Sequence, residues 1–175
     1  MDAAAAIRHV AQIRQYRAED VPADVVERLL ELARWTGSSR NEQPWHFIVV
    51  RRKDTLRTIA AMRPNIGWLA DAPVGIVVVL EGDGHAYDEG RVTERLLTGA
   101  TLLGYGGGVA WFAERELQAE ARRLLGIPDG KVVRQVVAIG RPLSKDDPRP
   151  TGPPRGRKPL SELVSFERWG ERKRT

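Results

Sequence analysis

The sequence predicts a layered α+β or α/β domain, and three observations carry that expectation. Helical periodicity and short apolar runs alternate along the chain in the order helix, strand, four times over. One of the runs, Val74 to Leu80, is continuously apolar, as a central strand covered on both faces would be. Finally, 175 residues with 42% hydrophobic and 29% charged side chains match an ordinary single domain rather than a disordered, collagen-like or coiled-coil chain.

The first helix follows Pro22, where Val25, Val26, Leu29, Leu30, Leu32 and Ala33 recur at helical spacing as far as Trp35. Residues 36–44 (TGSSRNEQP) have loop chemistry, and Phe47 to Val50 is a short β-branched and aromatic strand. Asp54 to Met62 reads as a helix capped by Asp54. After the Val74 to Leu80 strand, Val92, Leu96, Leu97, Ala100 and Leu103 mark a long helix between Asp88 and Gly104, ended by that glycine. GYGGGVAWF is expected to be a glycine-rich loop leading into a strand, with Glu116 to Leu125 a helix and Val132 to Ile139 the last strand. Six of the eleven prolines fall between Pro142 and Pro159, so regular structure should stop after Gly140 and an extended arm begin.

Composition and motifs exclude several functions. No apolar run approaches the ~20 residues of a membrane span, and the alanines near the N-terminus are cut by Arg8 and His9, so a cytoplasmic protein without a membrane partner is expected. There are no cysteines, hence no thiol nucleophile and no thiolate metal site. His9, His46 and His85 stand apart, so no metal is expected. GYGGGV lacks the third glycine of a dinucleotide fingerprint and runs from helix to strand, the wrong way round, and no phosphate-binding P-loop is present. The charge of +5 is all in the tail: residues 1–140 carry 18 basic and 18 acidic side chains, and residues 141–175 carry 10 and 5. A nucleic-acid partner is favoured by that charge alone and is not expected. What remains is chemistry supplied by a bound cofactor.

Helix 22–35 followed by SSRNEQPWHFIVV resembles the nitroreductase-like flavoprotein family, which carries Pro-Ser-x-x-Asn-x-Gln-Pro-Trp at this place. IRQYR, DAPVGIVVV, LLGYG, LLGIPDG, VVAIGRP and RKPLSELVSFERWG agree in order, so the resemblance covers nearly all of residues 7–170. It implies a mainly antiparallel central sheet flanked by helices, forming a homodimer with FMN at the interface. Residues 1–140 would be the core, and the arm at 141–175 would be exchanged onto the partner.

Carried over by position, the resemblance assigns Arg14, Gln15 and Arg17 to the FMN phosphate and ribityl chain, with Arg157 of the arm as a second basic contact. Guanidinium forks suit phosphate because they donate several hydrogen bonds in one plane. Ser38 and Asn41 match loop contacts, Asn65 an isoalloxazine-edge contact, and Val109, Ala110 and Trp111 the strand whose amides face the ring. No general acid is assigned, since protons can come from water. The implied activity is FMN-dependent NAD(P)H oxidoreduction of a small molecule (a nitroaromatic, quinone or activated alkene) by ping-pong hydride transfer, with NADH or NADPH as donor. The alternative is a non-catalytic flavin or nucleotide binder of the same fold. Its only sequence support is Ile13 and Gln15, which replace an arginine and a serine of the family pattern; Gly37 in place of a proline and Glu94-Arg95 in place of Gln-Asn are further departures.

Overall fold

The computed structural model describes residues 1–144 and 157–171. Four strands form one antiparallel sheet: β1 (Trp45–Val50), β2 (Val74–Leu80), β3 (Gly106–Trp111) and β4 (Val132–Gly140), in the order β1-β2-β4-β3. The longer helices are α1 (Ala3–His9), α2 (Ala23–Arg34), α3 (Lys53–Ala61), α4 (Ala86–Leu102) and α5 (Arg115–Leu125), with α6 (Leu160–Leu163) a single turn in the arm. The α+β class and the antiparallel sheet are as expected.

Each sheet face buries its own core. Val74, Ile76, Val78, Leu80, Val137 and Ile139 meet α2 and α4 through Leu29, Leu96 and Leu97, while Val77, Val136, Ala138, Ala110 and Phe112 meet α3 and α5 through Leu56, Ile59 and Ala121. Every residue of β2 is buried, because it is a central strand covered on both faces. α4 ends two residues before Gly104, whose φ of 80° is the left-handed conformation a glycine supplies at low cost.

Four local expectations are corrected. Gly106, Gly107 and Gly108 lie in β3 and not in a loop. Glycine is required there by close packing: a Cβ on Gly106 would come within 2.6 Å of Ile13, and one on Gly107 within 2.7 Å of Leu97. Asp54 does not cap α3, which starts a residue earlier and has Arg52 at its N-cap with no side-chain cap hydrogen bond. α1 went unread because an alanine run has helix propensity but no apolar periodicity. Regular structure also resumes briefly in the arm, at α6. Among the described residues no helix is long and apolar enough to cross a membrane.

β4 carries a bulge. Val77 opposes Val136 and Val79 opposes Val133, so Val78 faces two residues, Arg134 and Gln135. The bulge aims Arg134 at α4, where its Nε lies 3.1 Å from Glu89, whose side chain is only 4% exposed. Gln135 donates to the Thr93 hydroxyl at 2.6 Å. Burial pushes the Glu89 carboxyl up, and Arg134 pulls it only partly back. The folded state therefore holds this proton more tightly than the unfolded chain, so stability falls as pH rises above the ordinary glutamate range. In Glu89→Gln that part of the slope should vanish, as measured by urea unfolding across a pH series.

Candidate active site along the free edge of β3

β3 has β4 on one side only, and the other edge meets the segment Gln12–Arg17. Ile13 N–H donates to the Gly107 carbonyl at 2.9 Å, and the Tyr16 hydroxyl donates back to the Ile13 carbonyl at 2.7 Å. The segment is fastened further by the chain just beyond β4: Arg17 N–H donates to the Arg141 carbonyl, and Leu143 N–H donates to the Gln15 carbonyl. Arg14, Gln15 and Arg17 thus project, exposed, from a backbone held on both sides.

The antiparallel ladder decides which amides of β3 are free. Phe112 N–H donates to Arg134 at 2.8 Å, so by alternation Ala110 also turns its N–H toward β4, whereas Gly107, Val109 and Trp111 turn outward. Ala110 is buried, and its amide is committed to the ladder rather than to a ligand. Val109 N–H is taken by the Gln12 side-chain carbonyl at 2.8 Å. Trp111 N–H meets no acceptor among the described residues. Gln12→Ala should release the Val109 amide and lower stability by about 1 kcal/mol, the usual net value of a hydrogen bond, as read by denaturant unfolding.

Aromatic and cationic groups flank the same edge of β3, Trp68 at Gly108 and Arg63 at Trp111. The 3-10 segment Pro64–Asp71 brings Trp68 beneath the Arg14 guanidinium, 5.9 Å from ring centroid to Cζ, and the Trp68 indole N–H donates to the Asn65 carbonyl at 3.2 Å. Asn65 itself is exposed. Arg63 pairs with Glu114 at 3.0 Å and reaches the Trp111 carbonyl at 3.4 Å. Arg14 has no carboxylate partner among the described residues, while Arg17 meets Glu19 only at 4.0 Å and also donates to the Pro142 carbonyl. Arg14, Gln15, Arg17, Asn65, Val109 and Trp111 therefore share one edge of the sheet. Gln12, Arg63 and Trp68 join them, and sequence reasoning missed all three; only Gln12, next to the matched segment, had a signal nearby.

Ser38 and Asn41 lie elsewhere. Their loop leads into Trp45 of β1, the opposite edge strand, which pairs with Leu80 of β2, while the Gln12–Arg17 segment lies against Gly107, level with Ile139 and Val74. Four strand spacings, β1 to β2 to β4 to β3 and on to the segment, and six residues along β2 separate them, about 19 Å across the sheet and about 20 Å along it. The loop is tightly wound: Arg40, Asn41 and Gln43 have φ of 49°, 58° and 50°, and the Ser38 hydroxyl accepts the Gln43 N–H at 2.8 Å. Arg157 is exposed in the arm.

The chain is thus an α+β protein that presents cationic and aromatic side chains along a strand edge with an outward amide donor. The nitroreductase family model matches residues 8–66. A protein of Archaeoglobus fulgidus is 34% identical over 143 residues, 77% of this chain and 82% of its own length. One of Methanothermobacter thermautotrophicus is 28% identical over 178 residues, 97% of this chain and 88% of its own. Each bears the name "Putative NADH dehydrogenase/NAD(P)H nitroreductase". The fold is similar to that of an FMN-dependent nitroreductase from Clostridium difficile R20291, with a TM-score of 0.81 at 20% identity over 94% of this chain and 98% of that one. It is likewise similar to an NADPH:FMN oxidoreductase from Vibrio harveyi, with a TM-score of 0.81 at 18% identity over 98% and 79% of the two chains. The chain belongs to the nitroreductase family.

Proposed function

We propose that the protein is an FMN-dependent NAD(P)H oxidoreductase, working as a homodimer whose two sites each draw on both chains. The observation that carries this reading is the outward Trp111 N–H, without an acceptor among the described residues, on the strand edge that Trp68 meets at Gly108 with Arg14 over its ring. The donor set fits FMN: guanidinium groups for an anionic phosphate, an indole and a flat strand edge for a planar ring, and one outward amide for a ring heteroatom. When bound, FMN supplies hydride transfer from NADH or NADPH to a small acceptor such as a nitroaromatic, a quinone or an activated alkene.

The chain's own residues bind and orient. Arg14 and Arg17 hold the anionic end, with Arg157 of the arm as a further cation, and Gln15 serves the polar side chain of the cofactor. Trp111 N–H would offer a preorganised dipole to negative charge on a bound ring. Gln12 fixes the neighbouring Val109 amide, so the edge presents one donor in one position. Asn65, exposed beside Trp68, would serve the ring edge. Ser38 and Asn41 are too far from Arg14 within one chain to share a ligand with it, so they serve the site of the second copy. Residues 141–143 stay on their own chain, and of the arm beyond them the described part, residues 157–171, packs on that partner, where its exposed Leu160, Leu163, Phe166 and Trp169 find cover.

The test is an absorbance spectrum of the protein with FMN. Structured flavin bands that bleach anaerobically on adding NADH or NADPH, and return with a nitroaromatic or quinone, are expected. Bands that never bleach would make it a binder of the same fold, and no retained flavin would refute the reading.

A further inference from the structure

The Ser38–Gln43 loop holds three non-glycine residues in left-handed conformations, which persist only where surrounding contacts fix them. Most of its hydrogen bonds are internal: Ser38 to Asn41, Ser39 to Glu42, and the Ser38 hydroxyl to Gln43. One side chain reaches it from another element. Arg91 on α4 donates through Nη1 to the Gly37 carbonyl, at the point where the loop leaves α2. Arg91 is itself held, 3.8 Å from the mostly buried carboxylate of Asp88 and 5.6 Å over the Tyr87 ring.

Gly37 is part of the same arrangement. A Cβ at this position would lie 3.1 Å from Arg91 Nη2, tighter than ordinary contact, so the glycine leaves room for the guanidinium. The departure from proline noted at this position thus has a local partner in space.

We infer that Arg91 is a positioning residue: braced by Asp88, it clamps the Gly37 carbonyl and so fixes the loop that offers Ser38 and Asn41 to the cofactor of the second copy. This rests on the proposed FMN site, and the readouts below separate the two. Arg91 touches neither reacting atoms nor cofactor. Its side chain is 39% exposed, so its removal should spare the core.

Arg91→Ala and Gly37→Ala, the second of which crowds the guanidinium without deleting it, should each weaken FMN binding roughly tenfold, the value of one charge-assisted hydrogen bond. Fluorescence quenching of FMN reads this directly. Arg91→Lys, which keeps a donor for the Gly37 carbonyl, should recover most of the affinity. In the cofactor-free protein, trypsin should cut faster after Arg40 in Arg91→Ala than in wild type, while the thermal midpoint stays close to the wild-type value. Failure of the wild type to bind FMN, with faster cleavage in the variant, would sink the cofactor reading and leave the clamp standing. Unchanged cleavage after Arg40 would overturn the clamp whatever the flavin does. Faster cleavage with wild-type FMN affinity would overturn the link between loop and cofactor, and a lysine variant no better than alanine would reduce Arg91 to a packing role.

Discussion

Gly108→Ala is expected to be the most damaging single-methyl change in the protein. The added Cβ would overlap the Ile13 carbonyl oxygen and come within 2.9 Å of the Trp68 ring and 3.1 Å of the Tyr16 hydroxyl. Ile13 is backbone and cannot rotate away, and its own N–H is bonded to Gly107 one residue earlier. The Gln12–Arg17 segment must therefore lift off β3, taking Arg14 and the Gln12 cap with it. A loss of about 3 kcal/mol of stability is expected, the upper end for overpacking a close contact. FMN affinity should fall in parallel, because the cations move with the segment. Gly90→Ala, on the exposed side of α4 with nothing within 4 Å, is the contrasting change. It should raise stability by up to about 1 kcal/mol, as alanine does for glycine inside a helix. Urea unfolding of both variants separates a specific clash from a general intolerance of alanine.

Replacing Arg14 and Arg17 together by alanine should leave the fold nearly unchanged and weaken FMN binding roughly 100-fold. That is the value of two charge-assisted contacts at ten-fold per 1.4 kcal/mol. Both side chains are exposed, and the only described ion pair between them is the 4.0 Å contact of Arg17 with Glu19, so little folding energy rests on them. The wild-type affinity should also drop with added salt more steeply than that of the double variant, since the variant has lost the charges that salt screens. Titration of FMN fluorescence at two ionic strengths measures both effects. Wild-type affinity in the double variant would remove these arginines from the site.

Much of the fold was legible because it rests on local periodicity. Val74 to Leu80 could be read as a fully buried central strand, and Leu96 and Leu97 as the core face of the long helix, without knowing what they would meet. Gly106 and Gly108 were misread for the opposite reason: what crowds them is Ile13, some 95 residues away in sequence, and no local pattern carries that. The bulge at Arg134 and Gln135 was hidden in the same way, since it exists only relative to β2.

The site was legible where a side chain projects from a recognisable segment, as with Arg14 and Arg17. It was illegible where backbone direction decides, because Val109, Ala110 and Trp111 are adjacent in sequence yet only the first and third face outward. Nor could the sequence show that Ser38 and Asn41 stand on the far edge of the sheet from the arginines, which is the feature that calls for two chains.

That feature can be tested by mixing. Arg14→Ala/Arg17→Ala and Ser38→Ala/Asn41→Ala proteins should each bind FMN weakly alone. After subunit exchange, half of the dimers pair one of each, and each such dimer rebuilds one intact site from the sound segment of one chain and the sound loop of the other. Titration should then show tight FMN binding at roughly one site per four chains. Tight sites that never reappear after proven exchange would contradict a cofactor site shared between two copies.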